Sequence, residues 1–390
     1  MKAHFSRFLT TVPGRLHFAA HSHHPWPDVT FEAQQEAWLD AARLMDAKWD
    51  RIFGEVIPEA QGHIARRLGL PDPTTVTFAP NTHALVIRLL STLTDPIRIL
   101  TTDAEFHSFA RQARRLEEDG RAVVERVAVE PFAGFPERFA ETAARGGYDL
   151  VHFSHVLFSS AYVVPDLAAL VQAVPDPSTL VVIDGYHGFM AVPTDLSVIA
   201  GRAFYTAGGY KYAMAGEGAG FMHCPPGYAA RPPDTGWFAT FGDLTAAARP
   251  GDVPYPADGA RFLGGTFDPT GLYRLNAAQR WLDGMSISVS DIHGRVAALQ
   301  RTFLATDHAG LPRDALVPAA EDVADRGHFL TYQLPGADAV HRRLLAAGVV
   351  TDFRGDRLRL GFGLYHDEAD LEELDRRLAS PMPAAELEVL

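Results

Sequence analysis

The chain has 390 residues, of which 47% are hydrophobic, and a formal net charge of −13 at pH 7. This length suits two domains with an ample apolar core, and the acidic balance with scattered basic residues argues against a nucleic-acid or anionic-membrane surface. The single cysteine, Cys224, excludes an internal disulfide and indicates a reducing compartment. No apolar run is long enough to span a membrane or to form a signal-peptide core, so we expect a cytoplasmic protein.

Short apolar runs alternate with helical segments over the first part of the chain. Examples of the runs are TTVTFA, IRILTTD, DLVHFSHV, TLVVIDG and GAGFMHC, and between them THALVIRLLSTL, FHSFARQARRLEEDG and DLAALVQAV carry apolar residues at helical spacing. This alternation predicts a mainly parallel, doubly wound sheet. The Pro/Gly-rich stretch that follows, residues 224–259, is typical of a loop that serves a site or an interface.

The segments after about residue 270 predict a second, smaller domain. GLYRLNAAQRWLDGM indicates a helix, and HFLTYQLP, ADAVHRRLLAAGV, LRLGFGLY and EADLEELDRRLA suggest an α+β arrangement. We therefore predict a large domain over residues 1–270 and a small domain over residues 271–390.

Lys211 stands out because lysine is rare in this protein. The only lysines are Lys2, Lys48 and Lys211, and the remaining positive charge comes from arginine. Arginine stays protonated at any ordinary pH, whereas a lysine amine can become neutral and nucleophilic. A lone lysine among glycines and small residues suggests a Schiff base, although an ordinary loop lysine is an equal alternative from rarity alone.

Two features at predicted strand ends could receive a flat, anionic ligand. Thr82 and His83 follow a strand and begin a helix, where free backbone N–H groups and the helix dipole attract anions; an ordinary N-cap is the alternative. Phe106, followed by His107, ends the next strand and could stack on a flat ligand; core packing is the simpler explanation of an aromatic ring taken by itself.

A carboxylate and a tyrosine complete this set of strand-end residues. Asp184 ends a fully apolar strand, where a carboxylate is costly unless it meets a positive partner such as a protonated ring nitrogen. His187 is close enough to belong to the same site; the alternative for Asp184 is that it caps a helix or bonds loop amides. Tyr210 can offer its hydroxyl to a phosphate, and the nearby glycines let the backbone bend around a bound group.

An anion site, a stacking ring, a strand-end acid and a lysine, in that order, fit pyridoxal phosphate. The phosphate would lie at Thr82, the ring beneath Phe106, the ring nitrogen on Asp184 and the aldehyde on Lys211. The four features together are far more specific than any one of them.

A metal site is the competing interpretation of HFAAHSHHPWP. His21, His23 and His24 lie together, and His-x-His with a downstream acid can build a hydrolase metal site. Adjacent histidines do not readily face one ion, so we predict no metal and a solvated or site-lining role for these three.

These motifs resemble the class V aminotransferase group of fold-type I pyridoxal phosphate enzymes, and among them kynureninase, over nearly the whole sequence. DGYHGFMAVPTDLS is similar to the family's Asp-x-x-His segment, and GGYKY followed by AGEGAGFMH to its Tyr-Lys-Tyr and glycine-rich segments. The resemblance implies a mainly parallel, seven-stranded-type sheet in the large domain, with the cofactor linked to Lys211 and its phosphate bound by Tyr210.

The same resemblance implies three further site residues and a dimer. TGWFATF and RFLGGTFDPTGLYRL resemble kynureninase segments in which Trp237 would reach the phosphate and Thr266 would come from the partner subunit of a homodimer. RLRLGFGLYHDEADL matches the segment that supplies the arginine for the substrate carboxylate, here Arg359.

The sequence departs from the family pattern around the substrate pocket. FHSF places Phe109 where the family has aspartate, HVLFSSAY around Ser159 lacks an Arg-Thr-Gly, and HSHH replaces Asn-Ser-Leu-Gly. Cysteine desulfurase, a related activity, needs a late nucleophilic cysteine, and Cys224 lies too soon after the lysine.

The expected function is kynureninase-like hydrolysis of a C–C bond in a small amino acid. Lys211 would take the α-proton, the ring held by Asp184 would store the electrons, and Arg359 would grip the carboxylate in a bidentate pair. Transamination, epimerisation or another β/γ-elimination on the same scaffold is the alternative, and a cofactor-binding protein without turnover is a third.

Overall fold

The computed structural model describes residues 1–243, 251, 253–308, 310–319 and 325–379. The helices are α1 Ser6–Leu9, α2 Val29–Leu44, α3 Lys48–Arg51, α4 Ile57–Leu68, α5 Thr82–Leu90, α6 His107–Glu118, α7 Phe135–Ala143, α8 Leu167–Gln172, α9 Thr270–Gly284, α10 Val289–Leu304, α11 Ala337–Ala346 and α12 Glu368–Ala379. The strands are β1 Leu16–His17, β2 Val76–Ala79, β3 Ile97–Thr102, β4 Ala122–Val127, β5 Leu150–Ser154, β6 Leu180–Asp184, β7 Ala203–Gly208, β8 Gly220–His223, β9 Phe329–Gln333, β10 Val349–Val350, β11 Asp352–Arg354 and β12 Arg357–Gly361. No helix in these described ranges is long and apolar enough to cross a membrane.

A seven-stranded sheet forms the centre of the large domain. Its strand order is β2-β8-β7-β6-β5-β3-β4, and β8 is the one strand of this sheet that runs in the opposite direction to the others. The prediction of a mainly parallel, doubly wound sheet is therefore confirmed. Because the other strands run the same way, the residues that follow β3, β5, β6 and β7 meet at one edge.

The five apolar runs given as examples are present as β2, β3, β5, β6 and β8, and the sheet's other two strands, β4 and β7, have weaker sequence signals. β4 is largely exposed along its middle, so its sequence AVVERV lacks a continuous apolar run. β7, AFYTAG, is fully buried but ends in small residues that weaken the apolar signal. Both segments form strands because they pair with neighbouring strands, which their own sequences do not reveal.

Alternate side chains of the central strands enter different cores, as the two-residue period of a strand requires. Val181 and Ile183 belong to one core with α4, α7 and α9, whereas Val182 belongs to another with α5 and α6. The helix that follows the predicted division at residue 270 thus packs against the large sheet's core. The boundary itself stays a prediction.

A separate core lies beneath the three-stranded antiparallel sheet β11-β12-β9, which matches the predicted α+β character of the C-terminal part. The N-terminal arm joins this body: β1 pairs with β10, and Leu16 and Phe18 enter the core. Further along the arm, the Gly361 amide donates to the Phe18 carbonyl at 2.7 Å. These contacts bring residues just after Phe18 next to the end of β12.

Candidate active site

Asp184 and Lys211 come to the same edge of the large sheet. β6 ends at Asp184, which pairs with Ser154 on β5 and Thr206 on β7, and β7 ends shortly before Lys211. Ligands of open α/β folds gather at this edge, beyond the carboxyl ends of the strands.

The Lys211 amine is buried between two aromatic rings. Its Nζ lies 5.3 Å from the centroid of Phe106 and 5.2 Å from that of Tyr186. Burial lowers the pKa of Lys211 to about 7, with Asp184 opposing this shift and Arg359 adding to it. A large share of the amine is therefore neutral near pH 7, as a nucleophile or base requires.

His187 is the hydrogen-bond partner of that amine. Nζ of Lys211 lies 2.6 Å from Nε2 of His187, whose ring is also buried. Burial and the Lys211 charge hold the pKa of His187 well below its usual value, so the imidazole is neutral and one ring nitrogen can accept a hydrogen bond from the amine. The structure thus places these two predicted residues in direct contact.

Asp184 lacks a cationic partner at close range. Its carboxylate accepts from the Tyr186 amide at 2.9 Å, the loop-amide role weighed as an alternative, but no described side chain lies within ion-pair distance. Burial raises the pKa of Asp184, while His152 lowers it. A carboxylate with spare acceptor capacity in this position fits a protonated pyridine nitrogen.

Glu105 is a site residue that the sequence analysis missed. Its buried carboxylate accepts from the Thr102 hydroxyl at 2.7 Å and the Ser154 hydroxyl at 2.7 Å, and lies 3.4 Å from Nδ1 of His152. Phe109, where the family has aspartate, stacks on His152 at 3.5 Å between centroids. A second carboxylate therefore stands near Asp184, and its position just after a strand was the available signal.

The predicted phosphate end lies at the start of α5. Asn81 is the N-cap and accepts from the Ala84 amide at 3.0 Å, so the capping role belongs to Asn81. Thr82 is half-buried and His83 is exposed, so both remain accessible to an incoming anion. Tyr210 is half-buried, with its ring edge-on to His23 at 5.3 Å.

Trp237 and Thr266 form a separate surface patch. Nε1 of Trp237 donates to the Thr266 hydroxyl at 3.1 Å, and the indole packs on Phe238 and Phe241. Among the described residues of this single subunit, no contact links the pair to Thr82, so their predicted contact with the phosphate stays a prediction.

Arg359 is buried on the small-domain side and already has partners. Nη1 donates to the Phe158 carbonyl at 2.6 Å, and Nη2 contacts the Asp352 carboxylate. Each Nη therefore already makes one contact with the protein, and the predicted bidentate pair with a substrate carboxylate stays a prediction. Nε is the guanidinium nitrogen that has no hydrogen-bond partner among the described residues.

The three N-terminal histidines do not converge. His21 is buried beside Asp352, His23 lies against Tyr210, and Nδ1 of His24 bonds the Pro25 carbonyl at 2.7 Å. In the part of the sequence that the structure describes, no group of His, Cys, Asp and Glu side chains could hold a metal ion.

An open cavity of about 1330 Å³ adjoins the site. His83, His107, Phe158, Ser159 and Arg357 contribute to its lining. Cys224 is fully buried after β8, and burial raises the pKa of its thiol to about 12, which disfavours a role as nucleophile.

Comparison with known proteins decides the family. The aminotransferase class-V family model matches residues 43–306. The chain belongs to this family. Its members are pyridoxal phosphate-dependent enzymes, and the resemblance inferred from the motifs is confirmed at this level. A second model, the kynureninase C-terminal domain, matches residues 292–378, which include Arg359.

Curated relatives point to more than one reaction. The protein is 29% identical to isopenicillin N epimerase of Streptomyces clavuligerus over 86% of its length and 87% of that protein. It is 30% identical to kynureninase of Burkholderia mallei, but over 54% of its length and 50% of that protein.

Solved structures support fold type I. The cystine C–S lyase C-DES superposes with a TM-score of 0.76 at 19% identity, covering 96% of this protein and 100% of that one. A cysteine desulfurase from Thermococcus onnurineus gives a TM-score of 0.75 at 17% identity, covering 92% of each protein. At these identities the likeness concerns the fold alone.

Proposed function

We propose that this enzyme acts on a small amino acid and hydrolyses a C–C bond in the substrate's side chain, as kynureninases do. The observation that carries the proposal is the Lys211 amine, buried between Phe106 and Tyr186 and hydrogen-bonded to neutral His187. The match of the C-terminal part to the kynureninase model supports the reaction type.

The residues at the sheet edge fit pyridoxal phosphate. Thr82, His83 and Tyr210 would bind the phosphate, Phe106 would cover one face of the ring, and Asp184 would hold the ring nitrogen. Asp184 has no ion-pair partner among the described residues and its pKa is raised by burial, so a protonated nitrogen would supply the missing countercharge. When bound to Lys211, the cofactor supplies an electron sink for the pair released at the substrate's Cα.

The enzyme's own groups would move the proton and orient the substrate. With its pKa lowered to about 7, Lys211 can hold the Cα proton at Nζ and release it again near neutral pH. His187 would orient the amine through Nε2, and Arg359 would attract the substrate carboxylate. Phe106 would shield the reacting carbon from water on its side.

We further propose a homodimer, with Thr266 acting across the interface. Trp38 and Met45, at the C-terminal half of α2 and just beyond it, are each 70% exposed, and Trp237 beside Thr266 is 40% exposed. Exposed large apolar side chains of this kind are typical of subunit contacts. Light scattering should give about twice the mass of one subunit; an active, cofactor-loaded monomer would contradict the dimer.

Epimerisation at Cα is the second candidate. It is favoured by the epimerase relative, whose match extends over most of both proteins, whereas the kynureninase match covers about half. Both reactions begin with removal of the Cα proton, so the residues named above would serve either.

Product analysis separates these reactions. The purified enzyme should convert kynurenine or 3-hydroxykynurenine to alanine and an anthranilate without a keto-acid acceptor. Inversion of an amino acid in D₂O with deuterium at Cα and no cleavage would favour epimerisation, and dependence on a keto acid would indicate transamination. Arg359→Ala should chiefly raise KM for the productive substrate.

A further inference from the structure

The Arg359 guanidinium is immobilised before any substrate arrives. Its Nη1 bonds the Phe158 carbonyl, its Nη2 contacts Asp352, and its central carbon lies 5.9 Å from the ring centroids of both Phe158 and Phe329. The side chains of Arg359 and Asp352 are 4% and 12% exposed. Each Nη thus already makes one contact with the protein, whereas Nε–H makes none among the described residues.

Asp352 is held in place from several directions. Antiparallel register puts it directly opposite Arg359, and its Oδ1 accepts from Nη1 of Arg354 at 2.5 Å. Its Oδ2, the oxygen that contacts Arg359, lies 3.6 Å from Nε2 of His21. The carboxylate thus connects the N-terminal arm to the carboxylate-binding arginine.

The His21 ring is fitted into the small domain with little freedom. It stacks on Phe329 with 4.7 Å between centroids and an interplanar angle of 25°. A Cβ at Gly361 would stand 2.2 Å from Nδ1 of His21, so the ring requires a glycine there. Because Nδ1 lies against Gly361, the ring nitrogen that faces Asp352 is Nε2.

A second unpartnered donor lies near Arg359: the Tyr212 hydroxyl and the Arg359 guanidinium are close enough for each to affect the pKa of the other. Tyr212, adjacent to Lys211 in sequence, is buried, and its hydroxyl has no hydrogen-bond partner among the described residues. Like Arg359 Nε, it is a buried polar atom without a partner, which is costly unless a ligand satisfies it. Together the two can supply two donors to the two oxygens of one carboxylate.

We propose that His21 and Asp352 are positioning residues that fix Arg359 so that its Nε–H edge, with the Tyr212 hydroxyl, recognises the substrate carboxylate. The proposal rests on the proposed function, since the carboxylate is that of the amino-acid substrate. A pre-fixed arginine loses less side-chain entropy on binding than a free one, so this arrangement raises affinity for carboxylates. The opposite role for Asp352 is that of a competitor which the substrate must displace.

Whether Asp352→Asn weakens or strengthens the binding of L-alanine distinguishes a positioning role for Asp352 from a competing one. We would titrate the holoenzyme with L-alanine and with L-alaninamide, which lacks the carboxylate, and follow the visible absorption band of the lysine-bound cofactor. In Asp352→Asn and in His21→Phe, which keeps the stacked ring, the apparent Kd for L-alanine should rise about tenfold. The apparent Kd for L-alaninamide should change by less than about twofold, and Asp352→Glu should recover part of the loss.

Two control variants match these changes outside the site. His308 also stacks on a phenylalanine, Phe303, and also pairs with an aspartate, Asp375, so His308→Phe reproduces the chemistry of His21→Phe. Asp338→Asn removes a carboxylate paired with arginine in the same domain. Neither should alter the ratio of the two dissociation constants.

Each other outcome overturns the assignment. Tighter L-alanine binding in Asp352→Asn would show that Asp352 competes with the substrate, and no change in either variant would show that the pair is only structural. Equal weakening for both probes would indicate general damage to the pocket.

A cofactor-free measurement keeps this test separate from the proposed function. In the apoenzyme the ¹H–¹⁵N resonance of Arg359 Nε, assigned by its loss in Arg359→Lys, should be sharp. It should broaden in Asp352→Asn and His21→Phe but not in the controls. Should the wild-type enzyme show no spectral response to any amino acid, the proposed function fails while this resonance still decides the positioning role; an unaffected resonance overturns it.

Discussion

The lysine side and the arginine side of the site are both buried, yet burial affects their charges in opposite ways. Around Lys211 no close countercharge is present among the described residues, so burial lowers the pKa of Lys211 to about 7 and raises that of Asp184. Around Arg359, burial would raise the pKa of Asp352, but His21 and Arg359 hold it well below its usual range. The difference shows that ion-pair distance, rather than depth, decides which buried groups keep their charge.

On the lysine side, groups whose charge is suppressed are ready to exchange protons and to receive a ligand that supplies the countercharge. On the arginine side, a permanent ion pair offers a fixed direction for recognition. We therefore expect the largest effects from substitutions that fix the charge on the lysine side or remove the ion pair on the arginine side.

The largest effect is expected from Lys211→Arg. Arginine keeps the positive charge but cannot become neutral near pH 7, so the covalent link to the cofactor should be lost and turnover should fall on the order of 10³-fold. Loss of the visible band and of borohydride-fixed label on residue 211 by mass spectrometry would check this. Lys48→Arg is the control, and a surviving band and label in Lys211→Arg would remove the lysine from the chemistry.

Asp352→Asn should destabilise the folded protein, because it leaves the buried guanidinium of Arg359 without its anion. Removal of one partner of such a pair costs about 3 kcal/mol of unfolding free energy, measured by urea denaturation. Because the pKa of Asp352 is depressed in the folded protein, its contribution is present above the unfolded pKa of about 4 and is lost as pH falls below it. The stability difference from wild type should therefore shrink in acid; a constant difference would contradict the ion-pair account.

Unlike Asp352→Asn, the variant Asp184→Asn should not destabilise the cofactor-free protein. Since burial raises the pKa of this carboxyl, the charged form is unfavourable above a pH of about 4, and the apo variant should be at least as stable as wild type near neutral pH. Cofactor retention should weaken by roughly 1.5–3 kcal/mol, or about 10- to 100-fold in dissociation constant, because the ring nitrogen loses a charged acceptor. Asp166→Asn, which preserves the cap of α8, is the matched control; unchanged cofactor affinity in Asp184→Asn would exclude it from the ring nitrogen.

The smallest expected effect is a pH dependence. With the pKa of Lys211 lowered to about 7, the neutral fraction of its amine rises only about twofold between pH 7 and pH 9. The rate at which the apoenzyme captures pyridoxal phosphate, followed by stopped-flow absorbance, should rise by about that factor. A lysine with an ordinary pKa would give a rise of roughly 100-fold, and such a result would show that burial does not suppress the Lys211 charge.

The sequence by itself determined much of the large-domain side of the site. Fully buried strands such as β6 appear as unbroken apolar runs, and parallel strands bring their following residues to one edge, so Asp184, Phe106 and Lys211 could be expected together. The rarity of lysine singled out Lys211 because only that residue type combines an amine with an adjustable pKa.

Only the tertiary structure decided the arginine side. Asp352 meets Arg359 through the register of β11 and β12, and His21 reaches Asp352 because the N-terminal arm crosses the end of β12, where Gly361 leaves room for the ring. None of these contacts follows a periodicity, since they depend on strand register and on segments distant in the sequence. β4 was missed for the same reason, because an exposed strand is fixed by its neighbours rather than by a local pattern. Glu105 had a local signal, its position just after a strand, but its contacts with Ser154 and His152 come from distant segments.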